Sequence, residues 1–164
     1  LRRGGVLGEK VTMTDDFDGN AAFSRAFRML TEGERTTLLE KAQRQSFQAG
    51  QTIFEEGATI DSIYVIASGT ARISHRVVGT VSAEIVGPRG PGEVLGEMSY
   101  MDGEAASATI VADGDVDLFT INRRDFDAMI AADQGFAMRL YHSLLLSLCQ
   151  RLRATNARVF SSTA

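Results

Sequence analysis

The hydrophobic pattern divides the chain into a helical start, a long β region and a helical end. Apolar residues spaced by three and four predict a helix over Ala21–Leu30. Thr31 and Glu34 have the spacing of a capping box, which predicts a second helix running to about Gln43. From Gln45 onward the apolar residues instead form short β-branched and aromatic runs between glycines, a pattern typical of strands and turns.

Within the β region, residues 70–78 alternate between apolar and polar, and Gly79 predicts a hairpin turn into a strand over 80–86. The segment Gly87–Gly92 holds both prolines of the chain, which cannot donate to a sheet ladder, so a loop is predicted there. Two later strands are predicted, over Ser107–Ala112 and Val116–Ile121. Seven or eight short strands at close spacing indicate an antiparallel sandwich, roll or barrel.

The pattern becomes helical again after Asn122, which is a good N-cap for a helix over Arg123–Ala132. Asp133 is predicted to cap a longer helix from about Gln134 to Phe160. An apolar stripe spaced by three and four follows this last helix for at least five turns. It comprises Phe136, Ala137, Leu140, Tyr141, Leu144, Leu145, Leu148, Cys149 and Leu152.

Composition narrows the functional classes. The 164 residues carry a formal charge of -4, which argues against a dedicated nucleic-acid binder. The single cysteine, Cys149, excludes an internal disulfide, fits a reducing, cytoplasmic compartment and is predicted to be a small buried apolar residue. Two histidines, His75 and His142, leave little for a metal centre and are predicted on the surface or on a helix face.

The chain begins with Leu, which favours a cut fragment or an added leader. Residues 1–20, rich in Gly, Asp and Thr, are predicted to be a disordered leader or linker, and residues 21–164 a single domain. Neither a secretory signal nor a membrane span is visible, so no membrane contact is expected for this stretch.

One segment, Pro91–Gly103, carries candidate binding chemistry. It is predicted to join two strands through a single short helix bounded by glycines. The start of such a helix presents unpaired backbone N–H groups to an anion, and Gly96 lets a ligand approach the backbone closely. Glu97, beside that turn, can accept a hydrogen bond from a sugar hydroxyl.

Four motifs together are specific, although each alone would be weak. They are Ala49-Gly50-Gln51, Ile53-Phe54-Glu55-Glu56-Gly57, Tyr64-Val65-Ile66-Ala67-Ser68-Gly69, and Leu95-Gly96-Glu97-Met98 with Ala106-Ser107-Ala108-Thr109. On these motifs the stretch from about Phe23 to Asn156 resembles the cyclic nucleotide-binding domains found in catabolite activator proteins and protein kinase A regulatory subunits. The resemblance implies a mainly β, α+β fold: an antiparallel eight-stranded, jelly-roll-like β-roll with short N-terminal helices and a long C-terminal helix.

The resemblance also implies a site for cyclic AMP or cyclic GMP, with no other cofactor and no metal. Backbone amides of Gly96 and Met98 would face the cyclic phosphate, and Glu97 would bind the ribose 2′-hydroxyl. Residues of the last motif would line the phosphate and the base: Ala106, Ser107, Ala108 and Thr109. The family's phosphate-binding arginine falls at Ala106, and losing it costs about 2–5 kcal/mol of affinity unless Arg89, Arg72 or Arg76 substitutes.

Two functions follow. The first is a regulatory module, not an enzyme, in which ligand in the roll moves the C-terminal helices and signals to an attached or partner effector. The second is a degenerate domain that keeps the fold for dimerisation or docking. A cupin-type enzyme is disfavoured because the roll supplies only His75, and a DNA-binding regulator is disfavoured because no winged helix-turn-helix precedes the end at Ala164. The last helix is expected to form a homodimer.

Overall fold

Two antiparallel four-stranded sheets face each other in the computed structural model, which describes residues 19–76 and 83–161. The strands are β1 Gln43–Phe47, β2 Thr52–Phe54, β3 Ser62–Ser68, β4 Ala71–Arg76, β5 Ala83–Arg89, β6 Val94–Leu95, β7 Thr109–Ala112 and β8 Val116–Asn122. The helices are α1 Gly19–Ala26, α2 Glu32–Lys41, α3 Glu97–Asp102, α4 Arg123–Ala132 and α5 Gln134–Ser161. The strand orders are β1-β8-β3-β6 and β2-β7-β4-β5, so the predicted eight-stranded roll with a long C-terminal helix is confirmed.

The capping box is present as predicted. Thr31 Oγ1 accepts from the Glu34 N–H at 3.3 Å, and Glu34 Oε2 accepts from the Thr31 N–H at 2.8 Å. The predicted end of α1 is wrong, because the helix ends at Ala26 and a tight turn follows, closed by a 3.1 Å bond from the Leu30 N–H to the Phe27 carbonyl. Helix α2 ends at Lys41 because the backbone is extended at the next residue, where β1 is about to begin.

The loop predicted over Gly87–Gly92 is wrong in its first half, because β5 continues to Arg89. Pro88 pairs with Arg72 in the ladder, and the proline is tolerated because β5 is an edge strand with one side unpaired. A register shift opposite Gly87, whose φ is 109°, bends the strand at that point. The hairpin turn predicted at Gly79 lies outside the described residues.

Two apolar clusters form the core. One packs α1, α4 and the start of α5 against the outer face of β3, with four phenylalanines at no more than 1% exposure: Phe23, Phe27, Phe126 and Phe136. The other fills the space between the two sheets around Ile66, Leu95 and Leu118. Helix α5 therefore enters the core only with its N-terminal part.

Beyond Leu144, helix α5 leaves the core. Leu145 is 56% exposed and Leu152 62% exposed. The prediction that Cys149 is buried is wrong. This residue is exposed because the part of α5 that packs on the core ends at Leu144, about one turn earlier. In the described part of the chain, none of the helices combines the length and apolar character needed to cross a membrane.

Candidate functional site

A cavity of about 270 Å³ lies between the sheet that contains β4, the short helix α3 and the outer half of α5. Apolar side chains from several strands form its walls, among them Phe54, Ile73 and Ile110. Polar groups converge on one side, where α3 begins. This combination of apolar walls and a few converging polar groups is typical of a small-molecule site.

Gly96 sets the start of α3 against β3. Its φ of 80° is left-handed, and a Cβ at this position would lie 2.8 Å from the Ser62 carbonyl oxygen. A side chain is therefore excluded both by backbone conformation and by space. The first turn of the helix that follows has backbone N–H groups without intrahelical acceptors, and Glu97, Met98 and Ser99 of that turn line the cavity.

Arg123, the first residue of α4, holds α3 in place through contacts with Tyr100. Its Nη2 donates to the Tyr100 carbonyl at 2.8 Å, and its guanidinium lies 4.6 Å from the centre of the Tyr100 ring. Its Nε lies 3.3 Å from Oδ1 of Asp61. Helix α3, which we call the cassette helix, is thus bound to α4, the element that connects the roll to α5.

Glu97 is 2% exposed, a rare state for a carboxylate, and Arg151 of α5 lies against it. Arg151 Nη1 donates to Glu97 Oε1, and Arg151 Nη2 donates to the carbonyl of Val94. Burial raises the pKa of Glu97, and the positive charge of Arg151 opposes that rise. The outer half of α5 is therefore linked to the buried carboxylate at the edge of the cavity.

Most residues of the second half of the predicted site also line the cavity. Ala106, Ser107 and Ala108 do so, and the Ala106 backbone is held by 2.8 Å bonds with Gly57 and Ala58. Thr109 does not line it, and its Oγ1 accepts from the Glu56 N–H at 3.0 Å. Alternation along β7 turns its side chain to the face opposite Ala108 and Ile110, which do line the cavity.

Sequence reasoning missed the part of the cavity that α5 provides. Leu148, Leu152 and Thr155 lie along one face of the helix and close the cavity together with Arg151. Their spacing of four and three was visible, but an apolar stripe alone does not distinguish a core face from a ligand face. His75 of β4 also lines the cavity, whereas a surface position was predicted. No three His, Cys, Asp or Glu side chains of residues 19–76 and 83–161 are grouped to hold a metal.

Of the three arginines considered as substitutes at the phosphate, Arg89 lines the cavity. Its side chain is 13% exposed, and Nη1 lies 3.7 Å from Glu93 Oε1. Burial, and then repulsion from Arg151, lower the pKa of Arg89. Arg72 instead pairs with Asp113 at 2.8 Å, and the side chain of Arg76 lies outside the described part. The cavity thus offers two guanidinium groups and a carboxylate to an anionic, hydroxyl-bearing ligand.

Residues 44–133 match the family model described as cyclic nucleotide-binding domain. The chain is 33% identical to the cyclic AMP receptor protein of Thermus thermophilus over 130 residues, which is 79% of this chain and 58% of that protein. It is 30% identical to a cGMP-dependent protein kinase of Eimeria tenella over 136 residues, 83% of this chain and 12% of the kinase. The chain thus spans 58% or less of the length of these two curated relatives.

A solved structure shows the same fold. The crystal structure of a cyclic nucleotide-binding domain from Methylobacillus flagellatus superposes with a TM-score of 0.77 at 20% sequence identity, covering 89% of this chain and 86% of that one.

Proposed function

This chain belongs to the cyclic nucleotide-binding domain family, and on that premise we propose that it binds a cyclic mononucleotide in the cavity and signals through α5. The observation that carries the proposal is the pairing of Glu97 with Arg151. A ligand that bonds to Glu97 must share or displace Arg151, so binding changes the position that α5 prefers.

The chemistry of the cavity supports a position for each part of the ligand. The phosphate would lie at the first turn of α3 beside Ser107, and the ribose hydroxyl would bond to Glu97. The base would lie against Leu152 and Thr155 of α5, because the walls of that part of the cavity are mostly apolar. The named relatives include one protein linked to cyclic AMP and one linked to cyclic GMP, so both nucleotides are candidates.

Ala106 stands where the family has a phosphate-binding arginine, but other arginines can supply positive charge from different positions. Arg89 and Arg151 both line the cavity, and their guanidinium groups supply positive charge close to Glu97. The alternative of a degenerate domain that no longer binds is not favoured by the family relationship. We therefore expect this chain to bind a cyclic nucleotide, but more weakly than it would with an arginine at position 106.

The test is calorimetric titration of the chain with cyclic AMP and with cyclic GMP. Binding of at least one is expected, with affinity falling by about tenfold or more in Glu97→Gln, because a charged acceptor becomes a neutral amide. Glu40→Gln, at an exposed position of α2, is the matched control and should bind as the wild type does. No binding of either nucleotide to the wild type contradicts the proposal.

Ala106→Arg separates the two functions. Restoring a buried charge partner should strengthen nucleotide binding by about 30-fold or more, which corresponds to about 2 kcal/mol. A wild type that does not bind, combined with an Ala106→Arg variant that does, identifies the degenerate domain.

The relationship to regulatory domains fits a binding role, and the proposal assigns the chain no catalysis, no nucleic-acid contact and a cytoplasmic location. We also propose that the chain forms a homodimer through α5. Four exposed apolar residues of α5 recur every seven positions and so occupy one of the two apolar positions of a coiled-coil heptad; we call this line the seam: Met138, Leu145, Leu152 and Val159.

A further inference from the structure

A second cavity, of about 240 Å³, lies between α1, α5 and the turn that joins β5 to β6. Four arginines line it, and we call it the arginine cleft: Arg25, Arg28, Arg89 and Arg151. Arg89 and Arg151 line the nucleotide cavity as well, whereas Arg25 and Arg28 line only the cleft. The cleft is therefore adjacent to the nucleotide cavity but has residues of its own.

The charge in the cleft is opposite to that of the whole chain. Four guanidinium groups face a single carboxylate, Glu93, although the chain carries a net charge of -4. That carboxylate is already engaged, because Glu93 Oε2 accepts from the Gly90 N–H at 2.6 Å and Oε1 lies 3.7 Å from Arg89. Arg151 pairs with Glu97 of the neighbouring cavity, so two positive charges, those of Arg25 and Arg28, have no carboxylate partner among the described residues.

Several of the donors lack an acceptor. The Nε atoms of Arg89 and Arg151 are buried and have no hydrogen-bond partner among the residues that the structure describes. Arg28 donates to a neutral group, Gln150 Oε1, at 2.9 Å. Buried donors without acceptors are costly and rare in folded proteins, so Arg89 and Arg151 have hydrogen-bonding capacity that the residues around them do not satisfy.

The backbone brings Arg25 into the cleft. Gly92, with a φ of 82°, has no side chain, and a Cβ there would lie 2.5 Å from the Arg25 Cβ. Within residues 19–76 and 83–161, Arg25 has no salt-bridge partner. Burial, and then repulsion from Arg151, lower the pKa of Arg89, and a negative charge between the two arginines would favour the charged form of both.

We propose that the arginine cleft binds a small anion of the phosphate class that carries at least two negative charges, at a site separate from the nucleotide cavity. A phosphate group accepts hydrogen bonds from several directions at once, which suits guanidinium groups that reach the cleft from α1, β5 and α5. A singly charged carboxylate would leave one of the two unpaired positive charges uncompensated. Because the anion would contact both α1 and α5, it would hold the outer half of α5 against the roll.

The test uses sodium pyrophosphate as the probe, titrated into the chain at constant ionic strength and followed by calorimetry and by thermal unfolding. Pyrophosphate should bind and raise the melting temperature. Arg25→Gln/Arg28→Gln should weaken that binding by about tenfold or more and leave cyclic nucleotide binding within about twofold, because neither residue lines the nucleotide cavity. The control is Arg124→Gln/Arg153→Gln, which removes two charges from exposed helix positions outside the cleft.

Repeating the titration with the nucleotide cavity saturated by cyclic nucleotide shows which of the two cavities binds pyrophosphate. Pyrophosphate that still binds supports a separate site. Pyrophosphate that is excluded by cyclic nucleotide and is insensitive to Arg25→Gln/Arg28→Gln overturns the proposal, because it then occupies the nucleotide cavity. Equal weakening in the test and control variants, or no binding at about 10 mM pyrophosphate, also overturns it. The comparison of Arg25→Gln/Arg28→Gln with its control needs no cyclic nucleotide, so it tests the cleft even if the wild type binds neither nucleotide.

Discussion

Gly96 is the residue on which the position of the cassette helix depends. Gly96→Ala would place a Cβ 2.8 Å from the Ser62 carbonyl oxygen in a left-handed backbone. We expect a loss of unfolding free energy of about 1–3 kcal/mol, measured by urea denaturation, together with weaker ligand binding. Both effects are expected because α3 must move to relieve the clash.

Gly33→Ala is the matched control for Gly96→Ala. Gly33 lies in α2, and a Cβ there would meet nothing within 4 Å. Because alanine favours the helix, the change should be neutral or stabilising by up to about 1 kcal/mol. Equal destabilisation by the two substitutions would show that the backbone of Gly96 does not set the site.

Residues of the site differ in how far the sequence could reveal them. Gly96 and Glu97 could be predicted, because both lie in a short motif whose local chemistry is visible. The burial of Glu97 against Arg151 could not, since the partners lie 54 residues apart and their contact depends on how α5 crosses the roll. The resemblance to the family assigned Thr109 to the site, but its Oγ1 accepts from the Glu56 N–H on the other face of β7.

At the scale of elements, a charged contact joins α2 to α5. Arg139 Nε lies 3.1 Å from both carboxylate oxygens of Glu34, and Nη2 of the same arginine lies 3.0 Å from Asp133 Oδ2. The Arg139 hydrogen bond lowers the pKa of Glu34 from its ordinary value of 4.5. The same carboxylate caps α2, so a single side chain fixes both helices.

This contact gives a pH dependence of known sign. A lowered folded-state pKa means that the contribution of Glu34 is complete above about pH 4.5 and is lost as the pH falls through the folded value. Glu34→Gln keeps the capping box, so it should lower the melting temperature at about pH 7 and lower it less at about pH 3. The difference should shrink in high salt because the pair is partly solvated.

Glu40→Gln, an exposed change on the same helix, is the control and should have no comparable pH dependence. A melting temperature of Glu34→Gln that differs from the wild type by the same amount at both pH values would contradict the assignment.

The order of the elements was predictable from the sequence, whereas several of their limits were not. Residues 27–30 continue the apolar spacing of α1, yet they form a turn because the chain must reverse into α2. Pro88 argues against a strand in general, and only the edge position of β5 makes it compatible with one. In both cases a neighbouring element decides the outcome, and a local pattern does not contain that information.

At the scale of the whole molecule, α5 has two faces with different partners. Phe136, Leu140 and Leu144 are buried in the core, whereas the seam of residues spaced by seven is exposed. Met138→Glu/Leu145→Glu should convert the expected dimer into a monomer, measured by light scattering after size-exclusion chromatography, because charges would face each other across the seam.

Arg153→Glu/Ala157→Glu, exposed on α5 but outside the seam, should leave the dimer intact. A wild-type chain that is monomeric at high concentration would exclude the seam as a self-association surface.

The exposure of Cys149 has a practical consequence. It is the one cysteine of the sequence, and it lies two residues before Arg151 on the part of α5 that leaves the core. A thiol-reactive fluorophore or spin label would attach to this single point without any engineered mutation. The native chain therefore carries its own reporter, and its spectrum could record, in real time, whether this helix shifts when an effector arrives.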